Sequence, residues 1–219
     1  MFQIYDLAGK NDLRFSPYCW RIKYLLNILK IDYETIPTTF SQRLNNPFFS
    51  ESRLPTIIDN EQVISDSFEI AQYIENNYAD KNHKLIQNNF DVIRFINHWS
   101  DHYLNLSIVE RVVFDIIECL HDEDKEYFIE SRTKRFGMHP KQFQELNMSS
   151  KKNEFDKCCN FLNNLLLNRK FILDDEVSYA DIIILGSLTW GDKVSKNTKI
   201  NEKFVKLIEW KENLSQICA

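Results

Sequence analysis

Glycine and proline are scarce, with four and five copies in 219 residues. That excludes collagen-like and Pro/Gly-rich low-complexity architectures. A surplus of positive charge is missing too: 27 Lys and Arg face 32 Asp and Glu, for a net charge of −5. The chain therefore offers no basic footprint for nucleic acid or an anionic membrane. Apolar runs are short, such as Ile182-Ile183-Ile184-Leu185, against the roughly 20 residues needed to cross a bilayer. The opening MFQIYDLAGK has no basic segment followed by an apolar run, so no secretory leader is expected. The cysteines are Cys19, Cys119, Cys158, Cys159 and Cys218, odd in number and without a C-x-x-C pair. That pattern indicates neither a zinc ribbon nor a disulfide framework. Reduced thiols and a cytoplasmic location are the expectation.

What is present is ordinary for a globular protein: 43% hydrophobic and 27% charged residues. A chain of this length buries about 70% of its unfolded surface, so it needs no covalent or metal staple. It allows one large domain or two small ones. The texture changes near residue 80. Residues 1–80 mix short β-like runs with helical patterns, whereas residues 87–219 are helical in periodicity almost throughout. The polar stretch 79–84 between them reads as a linker. No internal repeat is visible.

In the N-terminal half, Phe2, Ile4 and Leu7 suit a strand. Ser16-Pro17 is a strong helix start: Ser caps, and Pro stands where its missing N–H costs nothing. Ile22, Leu25, Leu26 and Leu29 give that helix a buried face. Residues 33–37 read as a second strand and residues 41–52 as a loose polar segment. Pro55 opens a third strand, Asn60-Glu61 a tight turn and Val63-Ile64 a short fourth strand. A helix starts at Ser67. In the C-terminal half a single long helix is expected over 88–120, with HDEDKE at 121–126 a solvated junction. Further helices are expected over 127–136, stopped by Gly137, over 153–167, after Ser178-Tyr179-Ala180-Asp181, and over 201–216.

Four features, in this order and spacing, make the chain resemble a glutathione transferase. They are Ser16-Pro17-Tyr18-Cys19-Trp20, Arg53-Leu54-Pro55, Asp66-Ser67 and Ser178-x-x-Asp181. Within that family it is similar to bacterial β-etherase-like and fungal FuA-type transferases. That likeness rests on the patterns above and on Ser131-Arg132-Thr133-Lys134-Arg135-Phe136-Gly137, Gly186 and Trp190. The resemblance implies a thioredoxin-like α/β domain over 1–80 and an all-helical domain over 87–219 that supplies a hydrophobic pocket. It also implies a cis peptide at Pro55, a homodimer, and glutathione as co-substrate with no metal.

The residues then fall into roles. A thiol is nucleophilic only as thiolate, and free thiols are mostly protonated at neutral pH. The helix start at Ser16 supplies partial positive charge and N–H groups, and the Ser16 hydroxyl is the candidate donor to the sulfur. Its bland reading is a plain helix cap. Tyr5 is a rival hydroxyl, more simply read as packing. Cys19 is a rival that would make the protein a thiol oxidoreductase, although it stands one turn inside the helix. Asp66 suits the glutathione ammonium, Ser67 the α-carboxylate, the Leu54 backbone the cysteinyl part and Arg53 the glycyl carboxylate. Arg43 and Ser41 are weaker candidates for that carboxylate, Arg43 reading better as a solvated surface charge. Phe15, Tyr18, Trp99, Tyr103 and Phe114 are candidate walls for the electrophile, each also readable as core. His98 and His102 stand at i, i+4, but no third ligand is evident and metal is not expected. The expected activity is transfer of glutathione to a hydrophobic, aromatic electrophile, in its specific form β-aryl ether cleavage. The alternative is binding of glutathione or phenolics without turnover.

Overall fold

The computed structural model describes residues 2–45, 53–80 and 84–219. The expected segment 41–52 and linker 79–84 thus lie partly outside the described residues, at 46–52 and 81–83. Strand β1 (Phe2–Leu7) is followed by helix α1 (Pro17–Ile28), strand β2 (Tyr33–Thr38) and a short helix α2 (Phe40–Asn45). Strands β3 (Thr56–Asp59) and β4 (Gln62–Ser65) then form a hairpin before helix α3 (Ser67–Tyr78). The sheet order is β2-β1-β3-β4. β1 runs parallel to β2 and antiparallel to β3, which is the thioredoxin-like arrangement. Asn60 and Glu61 both have positive φ, 45° and 72°, and close the β3–β4 hairpin.

All the described structure beyond Lys84 that forms regular elements is helical. The helix expected over 88–120 is interrupted. It divides into α4 (Phe90–Trp99), a π turn at Ser100–Leu104, α5 (Asn105–Val112) and α6 (Asp115–Cys119). The expected junction at 121–126 is also corrected. Helix α7 (Asp122–Phe136) starts inside it, with three acidic residues in its first turn, where the helix dipole favours them. One of these, Asp124, is fully buried and accepts the α2 N–H groups of Phe40 (3.1 Å) and Ser41 (2.8 Å). Gly137, at φ 73°, ends α7 as expected. Helix α8 (Pro140–Ser149) was not anticipated. Helices α9 (Glu154–Leu165), α10 (Tyr179–Val194) and α11 (Val205–Ile217) complete the fold.

α10 is the central post. Every residue from 179 to 191 is buried, and the run Ile182–Leu185 is apolar on every face, as expected of a helix segment enclosed on all sides. Asp181 secures its start. The carboxylate accepts from the Ser178 N–H (3.0 Å) and Oγ (2.8 Å), from the Ile172 N–H (2.8 Å) and from Trp210 Nε1 (3.0 Å). α1 packs along α10, burying Cys19, Ile22, Leu25 and Leu26 completely. Between them lies Arg21, also fully buried. Its guanidinium donates to Asn97 (3.0 Å), Ser100 (3.2 Å) and Asp101 (2.8 Å). Arg21 thus ties the first turns of α1 to the helical half.

Candidate active site

A cavity of about 450 Å3 opens where the two halves meet. On the α/β side its lining includes Ser16, Tyr18, Arg53, Leu54, Asp66 and Ser67. The sequence therefore brings Ser16 and four of the five candidate binding residues to one surface. The fifth, Pro55, is buried beside it, and the Leu54-Pro55 peptide is cis, as expected.

Ser16 caps α1 by accepting the Cys19 N–H (3.3 Å). It is the acceptor in that bond, which leaves its own O–H proton available to donate. Pro17 occupies the first helical position. Ser16 is 5% exposed, enough to face the cavity while excluding bulk water. Cys19 is 0% exposed and absent from the cavity lining. Burial and the nearby Asp6 carboxylate push its thiol up, which keeps it protonated and unreactive. The oxidoreductase reading through Cys19 therefore has no accessible thiolate to stand on. Tyr5 is likewise outside the cavity lining.

α3 starts at Ser67, as expected, and Asp66 is its cap. Asp66 sits at φ 76°, and its Oδ1 accepts from the N–H groups of Phe68 (2.8 Å) and Glu69 (3.3 Å). Its Oδ2 lies 3.8 Å from Arg53 Nη1. Ser67 is the first helical residue and is buried. One oxygen of Asp66 thus holds the helix while the other is presented beside a second helix N-terminus, where anions are favoured.

The opposite wall departs from expectation. Phe15 and Tyr18 line the cavity, but Trp99, Tyr103 and Phe114 do not. Trp99 packs on Phe161 with ring centroids 5.4 Å apart, and Tyr103 is 65% exposed. The helical wall is instead made by Leu106, Val109 and Val113 on and just after α5, Phe128, Arg132, Arg135 and Phe136 of α7, and Trp190 of α10. Ser41 faces Asp124 rather than the cavity. Arg43, read as a surface charge, is half-buried in the lining. Burial and Asp101 push the Tyr18 hydroxyl upward, so it stays neutral. Among the described residues no group of three or more His, Cys, Asp or Glu is placed to hold a metal. No described helix is long and apolar enough to cross a membrane.

Two family models match the chain: the glutathione S-transferase N-terminal domain over residues 12–82 and the C-terminal domain over residues 92–214. The chain belongs to the glutathione S-transferase family. Its fold is similar to that of glutathione transferase GSTFuA3 from Phanerochaete chrysosporium, at 19% identity and TM-score 0.81, covering 99% of this chain and 95% of that one. It is equally similar to CsGST63524 of Ceriporiopsis subvermispora, solved in complex with glutathione, at 21% identity and TM-score 0.81 over 99% and 97% of the two chains. A third likeness is to CsGST83044 of the same organism, also solved with glutathione, at 19% identity and TM-score 0.76 over 100% and 98%.

Proposed function

We propose that the protein binds glutathione along Arg53, Leu54, Asp66 and Ser67 and ionises it at Ser16 for attack on an electrophile in the interdomain cavity. The observation that carries this reading is the convergence of two helix N-termini, those of α1 and α3, with the Leu54 backbone on one cavity. Asp66 Oδ2, the oxygen not used by the helix cap and 3.8 Å from Arg53 Nη1, takes the ammonium. Ser67 and the α3 N-terminus take the α-carboxylate. The Leu54 backbone pairs with the cysteinyl unit, next to Pro55, and Arg53 takes the glycyl carboxylate. The sulfur then lies at the α1 N-terminus, where the helix field and the Ser16 O–H stabilise the thiolate. Glutathione bound to the Ceriporiopsis proteins supports the choice of co-substrate.

The electrophile we propose is aromatic, to suit walls made of Phe128, Phe136 and Trp190. In the specific form, the thiolate sulfur bonds to the carbon bearing an aryloxy group, the C–O bond breaks and the phenolate leaves with the electron pair. The same reading takes residues 1–80 and 87–219 as the two domains and the protein as a cytoplasmic homodimer. Calorimetric titration with glutathione, paired with turnover assays on aryl halides and aryl ethers, tests it. Binding should be clear in the wild type and retained in Ser16→Ala, with conjugation lost in the variant. Absence of binding at millimolar glutathione overturns the reading. Binding without turnover of any electrophile favours a ligand carrier instead.

A further inference from the structure

The helical wall of the cavity carries arginines that no described carboxylate pairs with. Arg132 and Arg135 lie one turn apart on α7 and both line the cavity. Arg43 reaches it from α2. Among the described residues, none of the three is in an ion pair. Arg132 is half-buried and, among the described residues, donates to the neighbouring Ser131 hydroxyl (3.0 Å). Arg43 donates to Tyr127 Oη (3.3 Å), while its Nε is buried without a partner.

Aromatic rings hold two of these guanidinium groups in place. Arg132 lies 4.5 Å from the centroid of Phe128, and Arg43 lies 5.0 Å from that of Phe40. The two rings themselves stand 5.8 Å apart. Cation–π contact fixes a guanidinium without satisfying its N–H donors. Burial and the like charges of Arg135 and Arg43 push Arg132 down to about 10. It remains charged at neutral pH in a place that disfavours its charge.

The cavity's carboxylates do not answer this charge. Asp101 is taken by Arg21 (2.8 Å) and by Asn97 (3.2 Å) and Asn105 (3.2 Å). Asp66 caps α3 through Oδ1, and its Oδ2 lies beside Arg53 and is assigned to the glutathione ammonium. Glutathione has two carboxylates, which Ser67 with the α3 N-terminus and Arg53 already take. The α7 pair is left over.

We propose that Arg132 and Arg135 form an anion-recognition site for the second substrate, which is therefore an apolar aromatic electrophile carrying a carboxylate or sulfonate. This rests on the glutathione-transfer reading. Planar guanidinium donors match such groups in paired geometry. The apolar side chains Val109, Val113 and Trp190 would receive the ring between the anionic end and the sulfur.

The probe pair is 4-(chloromethyl)benzoate and its methyl ester, which differ in charge at one end. In both, the thiolate sulfur bonds to the benzylic carbon and chloride leaves with the electron pair. The thiol proton goes to water. With rates divided by the uncatalysed ones, the wild type should prefer the carboxylate by about tenfold or more in kcat/KM, the scale of one charge-assisted hydrogen bond. Arg132→Gln should remove that preference and Arg132→Lys should keep some of it. Lys134→Gln, outside the cavity lining, should keep all of it. Equal rates for acid and ester in the wild type overturn the proposal. So does an Arg132→Gln variant whose defect is weaker glutathione binding, because the site then serves the glycyl carboxylate. If neither probe is turned over, the anion site is judged by calorimetry with inert 4-methylbenzoate, and the transferase reading by its own glutathione titration and electrophile panel. Binding to the wild type that Arg132→Gln abolishes supports it. Absence of binding, or equal binding to both proteins, overturns it.

Discussion

Gly186 of α10 lies against Pro17 of α1 so closely that a Cβ at 186 would stand 2.8 Å from the Pro17 carbonyl oxygen and 2.9 Å from Arg21 Cγ. The buried post of the helical half therefore sets the position of the helix start that carries Ser16. Gly186→Ala has to push α1 outward. A loss of about 1–3 kcal/mol is expected, the usual range for overpacking, read as a lower urea midpoint. Glutathione conjugation should fall further than stability explains at a temperature where the variant is folded. Unchanged kinetics in a folded Gly186→Ala would separate α10 from the site.

Asp66 has two duties that one substitution can separate. Asn also accepts helix N–H groups and also tolerates positive φ, so Asp66→Asn should change stability by less than about 0.5 kcal/mol. The charge facing the glutathione ammonium is gone, and affinity should drop about tenfold or more, within the range for a hydrogen bond to a charged group. Asp66→Ala should lose the cap as well, at about 1 kcal/mol. Calorimetry together with urea unfolding of both variants checks this. Equal glutathione affinity in wild type and Asp66→Asn would remove Asp66 from the binding site.

Cys19 is predicted to be a bystander. Its thiol is buried and pushed up by burial, so alkylation of the native protein at neutral pH should leave it unmodified. Cys119 and Cys158, which are partly exposed, should react before it. Mass spectrometry of peptides after native alkylation gives the order. Fast modification of Cys19, or reductase activity that vanishes in Cys19→Ser, would revive the oxidoreductase reading.

Asp122 at the start of α7 joins the two halves at the surface, with Lys10 at 2.9 Å and Lys125 at 3.0 Å. The two lysines hold its carboxyl down to about 2, from 3.8. A depressed carboxyl stabilises the folded state above its unfolded pKa, and that contribution is lost as pH falls through the folded value. The stability difference between wild type and Asp122→Asn should be present near neutral pH and shrink between pH 3.8 and about 2. The groups are exposed, so the difference should be small and should also shrink with salt. Urea midpoints across that pH range read it directly. A difference that keeps its full size at pH 2 would show that it does not come from the Asp122 charge.

How much of this was legible in the sequence depends on whether the deciding contact is local. Ser16-Pro17, Leu54-Pro55 and Ser178 with Asp181 each act within a few residues, and their structural roles were readable. The break at Ser100–Leu104 was not, because a π turn adds a residue without altering composition. The charged run at 121–126 reads as solvated, yet Asp124 is buried by α2, which is more than 80 residues away in sequence. Helix α8 does carry a local signal, His139 before Pro140 at its first position. The helical wall of the cavity is the least readable region. Arg132 and Arg135 were visible only as members of a family pattern, and their common face on the cavity follows from where α7 docks. Trp99 and Tyr103 show the converse. Helical spacing placed them on a face, but Trp99 packs on Phe161 and Tyr103 faces solvent, so neither reaches the cavity.

Ionisation of bound glutathione by Ser16 and the α1 N-terminus is the central claim. Its most direct test is the ultraviolet thiolate absorbance of glutathione bound to the protein, titrated against pH in the wild type and in Ser16→Ala. The account predicts a bound thiol that ionises at least one unit below its ordinary value of about 8.5, and a return toward that value in Ser16→Ala. A bound thiol that titrates like free glutathione in the wild type, or identically in both proteins, would contradict it.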